Sequence, residues 1–154
     1  MYKRQKGFTL IEILLVIGII AVLATVVIVA LDPAKRFADA RDARRLSDIQ
    51  SILTAVSQYV IDNKGTLPAG ASTFERQIGI GVACDISTAI CAATSGTDCL
   101  DLSVELVRYL KTLPYDPANG SSTRTHYSLQ VDANNIVTVR ACDSTDVTIS
   151  SVSQ

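Results

Sequence analysis

Histidine is nearly absent from this sequence, and the other arrangements that support catalysis are missing as well. The one histidine, His126, stands in a stretch that alternates apolar and polar residues, which is typical of a solvated strand position rather than of a catalytic base. No serine stands in a nucleophile elbow, no glycine-rich loop could hold a phosphate, and no cysteine has a credible histidine partner. We therefore expect no enzymatic activity, no catalytic residues and no cofactor.

Cysteine is scarce too, and the spacing of the four cysteines does not fit a zinc site. Cys84, Cys91, Cys99 and Cys142 contain no C-x2-C pair, so the paired ligands of common zinc sites are missing and we expect no metal. In a domain outside the cytoplasm such cysteines favour disulfides, and four of them allow three pairings. We predict Cys84–Cys91 and Cys99–Cys142, because the second bond would join the end of a loop to a late strand.

Charged side chains are nearly missing from Phe8–Leu31, where Glu12 is the one ionisable residue among 24. A helix rises ~1.5 Å per residue, so this stretch reaches about 36 Å and could cross a ~30 Å hydrocarbon core. A charged, unpaired carboxylate near the start of the run would cost several kcal/mol in lipid. Glu12 therefore either meets a cation when the helix assembles with copies of itself, or lies at the membrane interface.

Other N-terminal signals fit this stretch poorly. The apolar run is longer than the roughly 7–15 residues of a secretory signal core, and Val29–Leu31 makes a poor cleavage site. A lipoprotein signal would need a cysteine just after the run, where none stands. A simple uncleaved anchor remains an alternative. Lys3, Arg4 and Lys6 predict that the leader stays in the cytoplasm and the rest lies outside.

The stretch Lys6-Gly7-Phe8-Thr9-Leu10-Ile11-Glu12 resembles the prepilin leader and cleavage motif of type IV pilins and type II secretion pseudopilins. That motif places a short basic leader ending in Gly before a Phe, an apolar run, and a Glu five residues after the Gly. The resemblance implies cleavage between Gly7 and Phe8 by an aspartyl membrane peptidase that also N-methylates Phe8. It further implies that Glu12 sets the register of a helical bundle by neutralising the new amine of its own chain or of a neighbour.

Three parts of the chain follow from this reading: a leader peptide at 1–7, a transmembrane and filament-core helix at 8–31, and an extracytoplasmic globular domain at 32–154. The domain has 123 residues, enough for one modest core. Without the leader, 11 basic residues stand against 15 acidic ones, and this balance gives no reason to expect nucleic-acid binding.

The helix is predicted to continue from Asp32 to Lys64, where Asn63-Lys64-Gly65 ends it. Pro33 predicts a kink or local unwinding near this point, or alternatively the first position of a second helix capped by Asp32. As a hypothesis, melting here lets the subunit extend when it enters a filament. An apolar stripe at spacings of three and four follows: Leu46, Ile49, Ile52, Leu53, Val56, Tyr59 and Val60.

Mixed charges precede this stripe between Asp39 and Asp48. Such a mixture is typical of a solvated helix face, and in a filament it could instead register neighbouring subunits. Residues 66–100 read as a disulfide-linked loop region. A second short helix is predicted at Asp101–Leu113, ended by Pro114.

A further resemblance lies in Leu113-Pro114-Tyr115-Asp116-Pro117 followed by Tyr127, which is similar to the LP-x-DP…Y segment of the major type II pseudopilins. In that family the region beyond leads into a calcium-binding loop, but here Asp132, Asp143 and Asp146 are scattered, which favours a plain turn. A hairpin is predicted from His126–Val131 and Ile136–Cys142, and a third strand at Val147–Val152.

We therefore expect an α+β, pilin-like fold in which a long N-terminal helix packs by its second half on a small antiparallel sheet. The expected function is that of a structural subunit of a type IV pilus-like filament, for adhesion, motility, DNA uptake or secretion. A minor pseudopilin and a monomeric membrane-tethered binding domain are the alternatives. The implied partners are copies of the chain, the prepilin peptidase, the inner-membrane assembly platform and membrane lipid. The implied locations are the cytoplasmic membrane for the single-pass precursor and the cell surface for the filament.

Overall fold

The computed structural model describes residues 7–82, 84–93 and 99–154, so the predicted leader lies outside it except for Gly7. The chain divides into two compact units, one that ends at Phe37 and one at Ala38–Gln154. The described residues form two helices and six strands: α1 (Leu10–Leu31), α2 (Pro33–Asp62), β1 (Arg76–Gln77), β2 (Ile86–Ser87), β3 (Ala92–Ala93), β4 (Tyr127–Val131), β5 (Val137–Ala141) and β6 (Ser151–Ser153). The predicted α+β class is confirmed.

The helix is interrupted at Asp32. This residue caps the end of α1 with a left-handed backbone (φ 41°), a conformation that Asp tolerates better than most residues. Pro33 then opens α2, where its missing N–H costs nothing because the first N–H groups of a helix have no intrahelical partner. Asp32 Oδ1 accepts a hydrogen bond from the N–H of Lys35 at 3.4 Å. This geometry is that of the second alternative, a new helix that starts at Pro33.

The predicted apolar stripe of α2 forms one side of the core, as expected. Ile49, Ile52 and Val56 are buried, and they belong to the same cluster as Tyr127 and Val139 of the sheet. The remaining members of the stripe are also buried or packed against the core: Leu46, Leu53, Tyr59 and Val60. Spacings of three and four residues keep these side chains on one helix face, so the sequence pattern carries over directly into the packing.

The helix stop at residues 63–65 is also confirmed. Gly65 N–H donates to the carbonyl of Val60 at 2.8 Å, and Asn63 N–H donates to that of Tyr59 at 2.9 Å. Gly65 has φ +88°, which a residue without Cβ adopts without strain. These bonds satisfy carbonyls at the end of α2.

The predicted hairpin of His126–Val131 and Ile136–Cys142 is present as β4 and β5, paired antiparallel. Its turn is held by Asp132, whose carboxylate accepts hydrogen bonds from the N–H groups of Asn134 at 2.7 Å and Ile136 at 2.8 Å. These local bonds give the turn its own stability and set the strand register.

The main sheet is antiparallel and has the order β1-β4-β5-β6. The third strand predicted at Val147–Val152 forms later and shorter, as β6. The residues just before β6 form a turn in which Asp146 accepts hydrogen bonds from the N–H and hydroxyl of Thr148, at 2.9 and 2.7 Å. This turn carries the chain from the end of β5 back to the edge of the sheet.

The helix predicted at Asp101–Leu113 is wrong. Residues 103–109 form turns, with only isolated helical bonds such as Leu106 N–H to Leu102 O at 3.0 Å. Asp101 accepts hydrogen bonds from both the N–H and the hydroxyl of Ser103. The carboxylate therefore stabilises a local turn instead of capping a helix. Four leucines of this segment still contact the core: Leu102, Leu106, Leu110 and Leu113.

All four cysteines form disulfides, but the predicted pairing is wrong. Cys84 bonds Cys99 and Cys91 bonds Cys142, with Cα–Cα distances of 5.0 and 5.2 Å. The reason is the β2–β3 hairpin, which the sequence pattern did not reveal. Cys91 faces Thr88 across the hairpin turn, whereas Cys84 precedes β2 by two residues at the open end. The hairpin therefore separates the two cysteines that lie closest in the sequence.

Candidate functional site

The first candidate site is α1, whose 22 residues include no buried side chain. Its mean hydropathy reaches 3.3, and among the described residues it is the one helix long and apolar enough to cross a membrane. A soluble protein rarely exposes an apolar surface of this size without a partner to cover it. The helix therefore has the character of a surface that lipid or other helices cover.

Glu12 lies in the first turn of α1 and forms a capping box with Thr9. The N–H and the hydroxyl of Thr9 both donate to one Glu12 carboxylate oxygen at 2.8 Å, and Glu12 N–H donates to Thr9 Oγ1 at 3.3 Å. This motif satisfies N–H groups that a helix start would otherwise leave without partners. Glu12 thus has a role within its own chain before any amine is released at Phe8.

The predicted cleavage bond lies outside the helix. Gly7 and Phe8 precede the cap residue Thr9, have no regular secondary structure, and are exposed, with Phe8 84% accessible. A Cβ added at Gly7 would meet no atom within 4 Å. The bond is thus open to a protease, although the pairing of the Phe8 amine with Glu12 and the methylation of Phe8 remain predictions.

The second candidate site lies in the other unit, where Arg45 of α2 bridges two carboxylates. Its Nε and Nη2 donate to Asp116, at 2.5 and 3.1 Å, and its Nη1 donates to Asp42 at 2.7 Å. Asp116 also accepts from the N–H groups of Ala118 at 2.8 Å and Asn119 at 3.0 Å. The side chain of Arg45 is 4% exposed. Since a buried charge needs a compensating partner, this cluster joins α2 firmly to the turn after Pro114.

Asp42 extends the same cluster to the segment that precedes β6. Its carboxylate accepts hydrogen bonds from Ser144 Oγ at 3.2 Å, from Thr145 N–H at 3.1 Å, from the Thr145 hydroxyl, and from Asp146 N–H at 3.2 Å. One carboxylate on α2 thus orders the turn at 144–146. We call Asp42, Arg45 and Asp116 the ionic cluster.

Burial and hydrogen bonding act in opposite directions on the acids of the ionic cluster. Burial favours the neutral form of Asp42, but hydrogen bonds from Thr145 and Arg45 outweigh it and hold the pKa of Asp42 below its ordinary value. The pKa of Asp116 is lowered in the same way, because Arg45 and the N–H of Asn119 overcome the effect of burial. Both acids are therefore ionised at neutral pH.

Tyr127 and His126 make two further contacts near this cluster. The hydroxyl of Tyr127 donates to Asp48 of α2 at 2.8 Å, and burial together with this bond raises the pKa of Tyr127. His126 Nδ1 lies 2.9 Å from Asp143, which also accepts from Asn119 Nδ2 at 2.7 Å. The Tyr127 bond joins β4 to α2, and Asp143 joins His126, just before β4, to the turn at Asn119.

The predictions for the mixed-charge segment of α2 need correction. Asp42 and Arg45 are neither a solvated face nor free to register neighbouring subunits, because both are buried in contacts within the chain. Arg44, by contrast, is 64% exposed and lies 3.8 Å from Asp48. Asp116 lies in the Leu113–Pro117 motif noted in the sequence, but nothing in that motif identified Arg45 as its partner.

Candidate metal ligands do not come together in the described part of the chain. Across residues 7–82, 84–93 and 99–154, no group of three His, Cys, Asp or Glu side chains could hold an ion. The scattered aspartates considered for calcium have other roles, with Asp132 and Asp146 in turns and Asp143 beside His126.

Known proteins share similarity with part of this chain. The family model described as a prokaryotic N-terminal methylation motif matches residues 2–28. The type II secretion system core protein G of Pectobacterium carotovorum subsp. carotovorum is 47% identical over 60 residues, which cover 39% of this chain and 37% of that protein. The protein of the same name from Escherichia coli (strain K12) is 45% identical over 60 residues, 39% of this chain and 40% of that one.

A third relative, the core protein G of Aeromonas hydrophila, is 41% identical over 61 residues, 40% of this chain and 41% of that protein. The chain thus spans about two fifths of the length of the curated relatives it matches. No solved structure matches it significantly. The prepilin resemblance predicted from Lys6–Glu12 is confirmed.

Proposed function

We propose that this chain is a prepilin-type subunit of a filament that serves a type II secretion-like system. In this proposal the chain is cleaved between Gly7 and Phe8, methylated at Phe8, and polymerised through Phe8–Leu31. The observation that carries the proposal is α1, an apolar helix without one buried side chain, which directly follows a cleavage motif. The named relatives support the choice of secretion over adhesion, motility or DNA uptake.

The forces that would assemble the filament follow from the amino-acid composition of the helix. In lipid, helices associate through close packing and polar contacts, because the hydrophobic effect does not distinguish lipid tails from apolar side chains. Glu12 is the one charged group of the segment, so a cation supplied nearby would lower its cost in lipid and favour one axial position. The amine created at Phe8 is such a cation, and copies of the chain provide further ones.

The partners of the proposal are the prepilin peptidase, the inner-membrane assembly platform, membrane lipid and other copies of the chain. The precursor would lie in the cytoplasmic membrane as a single-pass protein, and the filament would extend from it on the outer side. The domain has no role as an enzyme in this proposal. It would give the filament its outer surface.

Processing is tested with a glycine pair. We compare Gly7→Val, at the end of the leader, with the matched substitution Gly18→Val in α1, because a Cβ added at either glycine meets no atom within 4 Å. In cells that contain a prepilin peptidase, mass spectrometry of the wild type and of Gly18→Val should find a methylated Phe8 terminus. Gly7→Val should retain the leader. A wild-type mature chain that still begins at Met1 would contradict the proposal.

The secretion role is tested in a strain that lacks this chain. Loss of export of proteins normally found outside the cell, with restoration by the wild type and not by Gly7→Val, supports the proposal. Normal export with loss of surface pili, motility or DNA uptake would instead assign the filament to a type IV pilus. Retention of all these activities would favour a membrane-tethered binding domain.

A further inference from the structure

The two disulfides of the domain are interleaved along the chain. Cys84 bonds Cys99, and Cys91, which lies inside the loop closed by that bond, bonds Cys142. Neither bond joins cysteines that are consecutive in the sequence. We propose that the chain is a substrate of a thiol–disulfide isomerase, which converts consecutive cysteine pairs into the interleaved native pairs.

Oxidation of the unfolded chain favours the wrong pairs. Loop closure becomes less probable with roughly the 3/2 power of loop length, so Cys84 meets Cys91, seven positions away, about threefold more often than it meets Cys99, 15 positions away. The native Cys91–Cys142 pair, separated by 51 positions, is disfavoured by about 20-fold on the same scale. Cys142 is also the last of the four cysteines to be synthesised. An oxidant that acts on the emerging chain therefore joins neighbours first.

The native fold excludes the first of these neighbour pairs. The N–H of Thr88 donates to the carbonyl of Cys91 at 2.9 Å, so these two residues face each other at the turn of the β2–β3 hairpin. Cys84 lies four residues before Thr88, about 13 Å away at strand spacing, whereas a disulfide needs Cα atoms within about 7 Å. A Cys84–Cys91 bond must therefore break before this hairpin forms.

The exchange consumes no oxidant or reductant. The isomerase thiolate attacks Cys91 Sγ of Cys84–Cys91, forms a mixed disulfide with Cys91 and releases the Cys84 thiolate. That thiolate attacks Cys99 Sγ of Cys99–Cys142, which forms Cys84–Cys99 and releases the Cys142 thiolate. The Cys142 thiolate then attacks Cys91 Sγ of the mixed disulfide, forms Cys91–Cys142 and returns the isomerase thiolate. Two disulfides enter and two leave. The initial bonds come from a disulfide oxidant, which takes two electrons for each.

The fold gives the exchange a defined end point. All four cysteines are buried in the domain, with relative exposures of 4, 1, 6 and 2% for Cys84, Cys91, Cys99 and Cys142. Cys91 and Cys142 form one apolar cluster with Ile86 and Ala93 of the hairpin. A protein thiolate cannot reach these sulfurs once the domain has folded, so the native pairs persist while exposed non-native pairs continue to exchange.

The test follows pairing during oxidative refolding of the full chain in detergent. The chain is reduced and unfolded, then transferred to buffer with oxidised glutathione, together with either an active bacterial disulfide isomerase or the same enzyme with its attacking cysteine changed to serine. Samples are alkylated at intervals and cleaved before aspartate. Asp85, Asp98 and Asp132 then place the four cysteines in separate peptides, and mass spectrometry identifies each pair.

We expect the neighbour pairs Cys84–Cys91 and Cys91–Cys99, seven and eight positions apart, to dominate early with the inactive enzyme, and the active enzyme to increase the rate of native pairing at least tenfold. The control is the double variant Cys91→Ser, Cys142→Ser, which leaves one possible bond and should oxidise equally fast with either enzyme. Native pairing of the wild type at equal rates with both enzymes would overturn the proposal. Equal acceleration of the double variant would overturn it too, because no exchange is needed there.

Discussion

Arg45 contacts Asp42, three residues before it on α2, and Asp116, 71 positions later in the chain. These contacts show why one charged residue of α2 is buried. A guanidinium group that is 4% exposed would be costly alone, but Asp42 and Asp116 compensate its charge and accept a hydrogen bond from each of its three nitrogens. Neighbouring Arg44 has the same chemistry and remains mostly in solvent. Position on the helix, one residue apart, therefore separates a structural cation from a surface one.

Removal of Arg45 should destabilise the domain strongly. Arg45→Ala leaves two buried carboxylates without their cation, so we expect the free energy of unfolding to fall by about 3–5 kcal/mol. Urea unfolding of the full chain in detergent, followed by circular dichroism, measures this loss. The control Arg44→Ala removes an exposed charge and should cost less than about 1 kcal/mol. Equal losses for the two variants would mean that the ionic cluster has no special role.

The ionic cluster also predicts a loss of stability in acid. Asp42 and Asp116 have pKa values below the ordinary range in the folded state, so the unfolded chain takes up protons first as the pH falls. Their contribution is complete above the unfolded pKa of about 3.9 and is lost as the pH falls through the lower folded values. Unfolding between pH 7 and pH 2 should show this fall. In Asp116→Asn the fall should be shallower, and a slope identical to the wild type would contradict the assignment.

Glu12 caps α1 together with Thr9, and we propose that it also pairs with an amine in the filament; substitution can separate the two roles. Glu12→Gln keeps a capping side chain for Thr9 but removes the charge, whereas Thr9→Ala removes the capping hydroxyl and keeps the charge. If charge pairing selects the register, filament yield should fall at least tenfold for Glu12→Gln and much less for Thr9→Ala, as measured by electron microscopy of sheared filaments. The reverse order would mean that capping alone explains the acid.

At the scale of elements, two consecutive residues end α1 and begin α2. Asp32 ends one helix in a left-handed conformation and its carboxylate caps the next, while Pro33 occupies the first position of α2. Proline disfavours a continuous helix by about 3 kcal/mol relative to alanine, because its ring clashes with the preceding turn. The local sequence therefore causes the interruption, which does not depend on contacts with the domain.

Pro33→Ala should allow the helix to continue through Asp32. We expect slower hydrogen exchange of the amides at 32–36 in the purified precursor, since the clash and the missing donor are both removed. If extension at this join is needed in the filament, assembly should also decline while processing at Gly7 is unchanged. Normal assembly together with increased amide protection would refute the extension hypothesis.

At the scale of the whole molecule, the two disulfides should contribute unequally to stability. The chain-entropy model assigns about 3 kcal/mol to a 15-residue loop and about 4 kcal/mol to one of 51 residues. The double variant Cys91→Ser, Cys142→Ser should therefore lose more stability than Cys84→Ser, Cys99→Ser, as measured by urea unfolding in detergent. A larger loss for the second pair would show that local packing, rather than loop closure, decides the contribution.

The sequence alone determined the features that depend on near neighbours in the chain. The apolar run, its lone acid and the cleavage motif lie within Lys6–Leu31, and their pattern is sufficient because a helix needs only local hydrogen bonds. The stripe of α2, its stop at Gly65 and the hairpin of β4 and β5 follow from the same kind of short-range pattern. No packing partner had to be known to predict them.

Tertiary structure decided everything that joins distant residues. Arg45 meets Asp116 across 71 positions and Cys91 meets Cys142 across 51, and neither partner follows from spacing, because many pairings satisfy the same composition. The turns at 103–109 replaced a predicted helix for the same reason, since a segment this short takes its conformation from the contacts it makes. Which charges are buried and which cysteines pair are set by the closure of long loops, whose outcome depends on the packing of the whole domain.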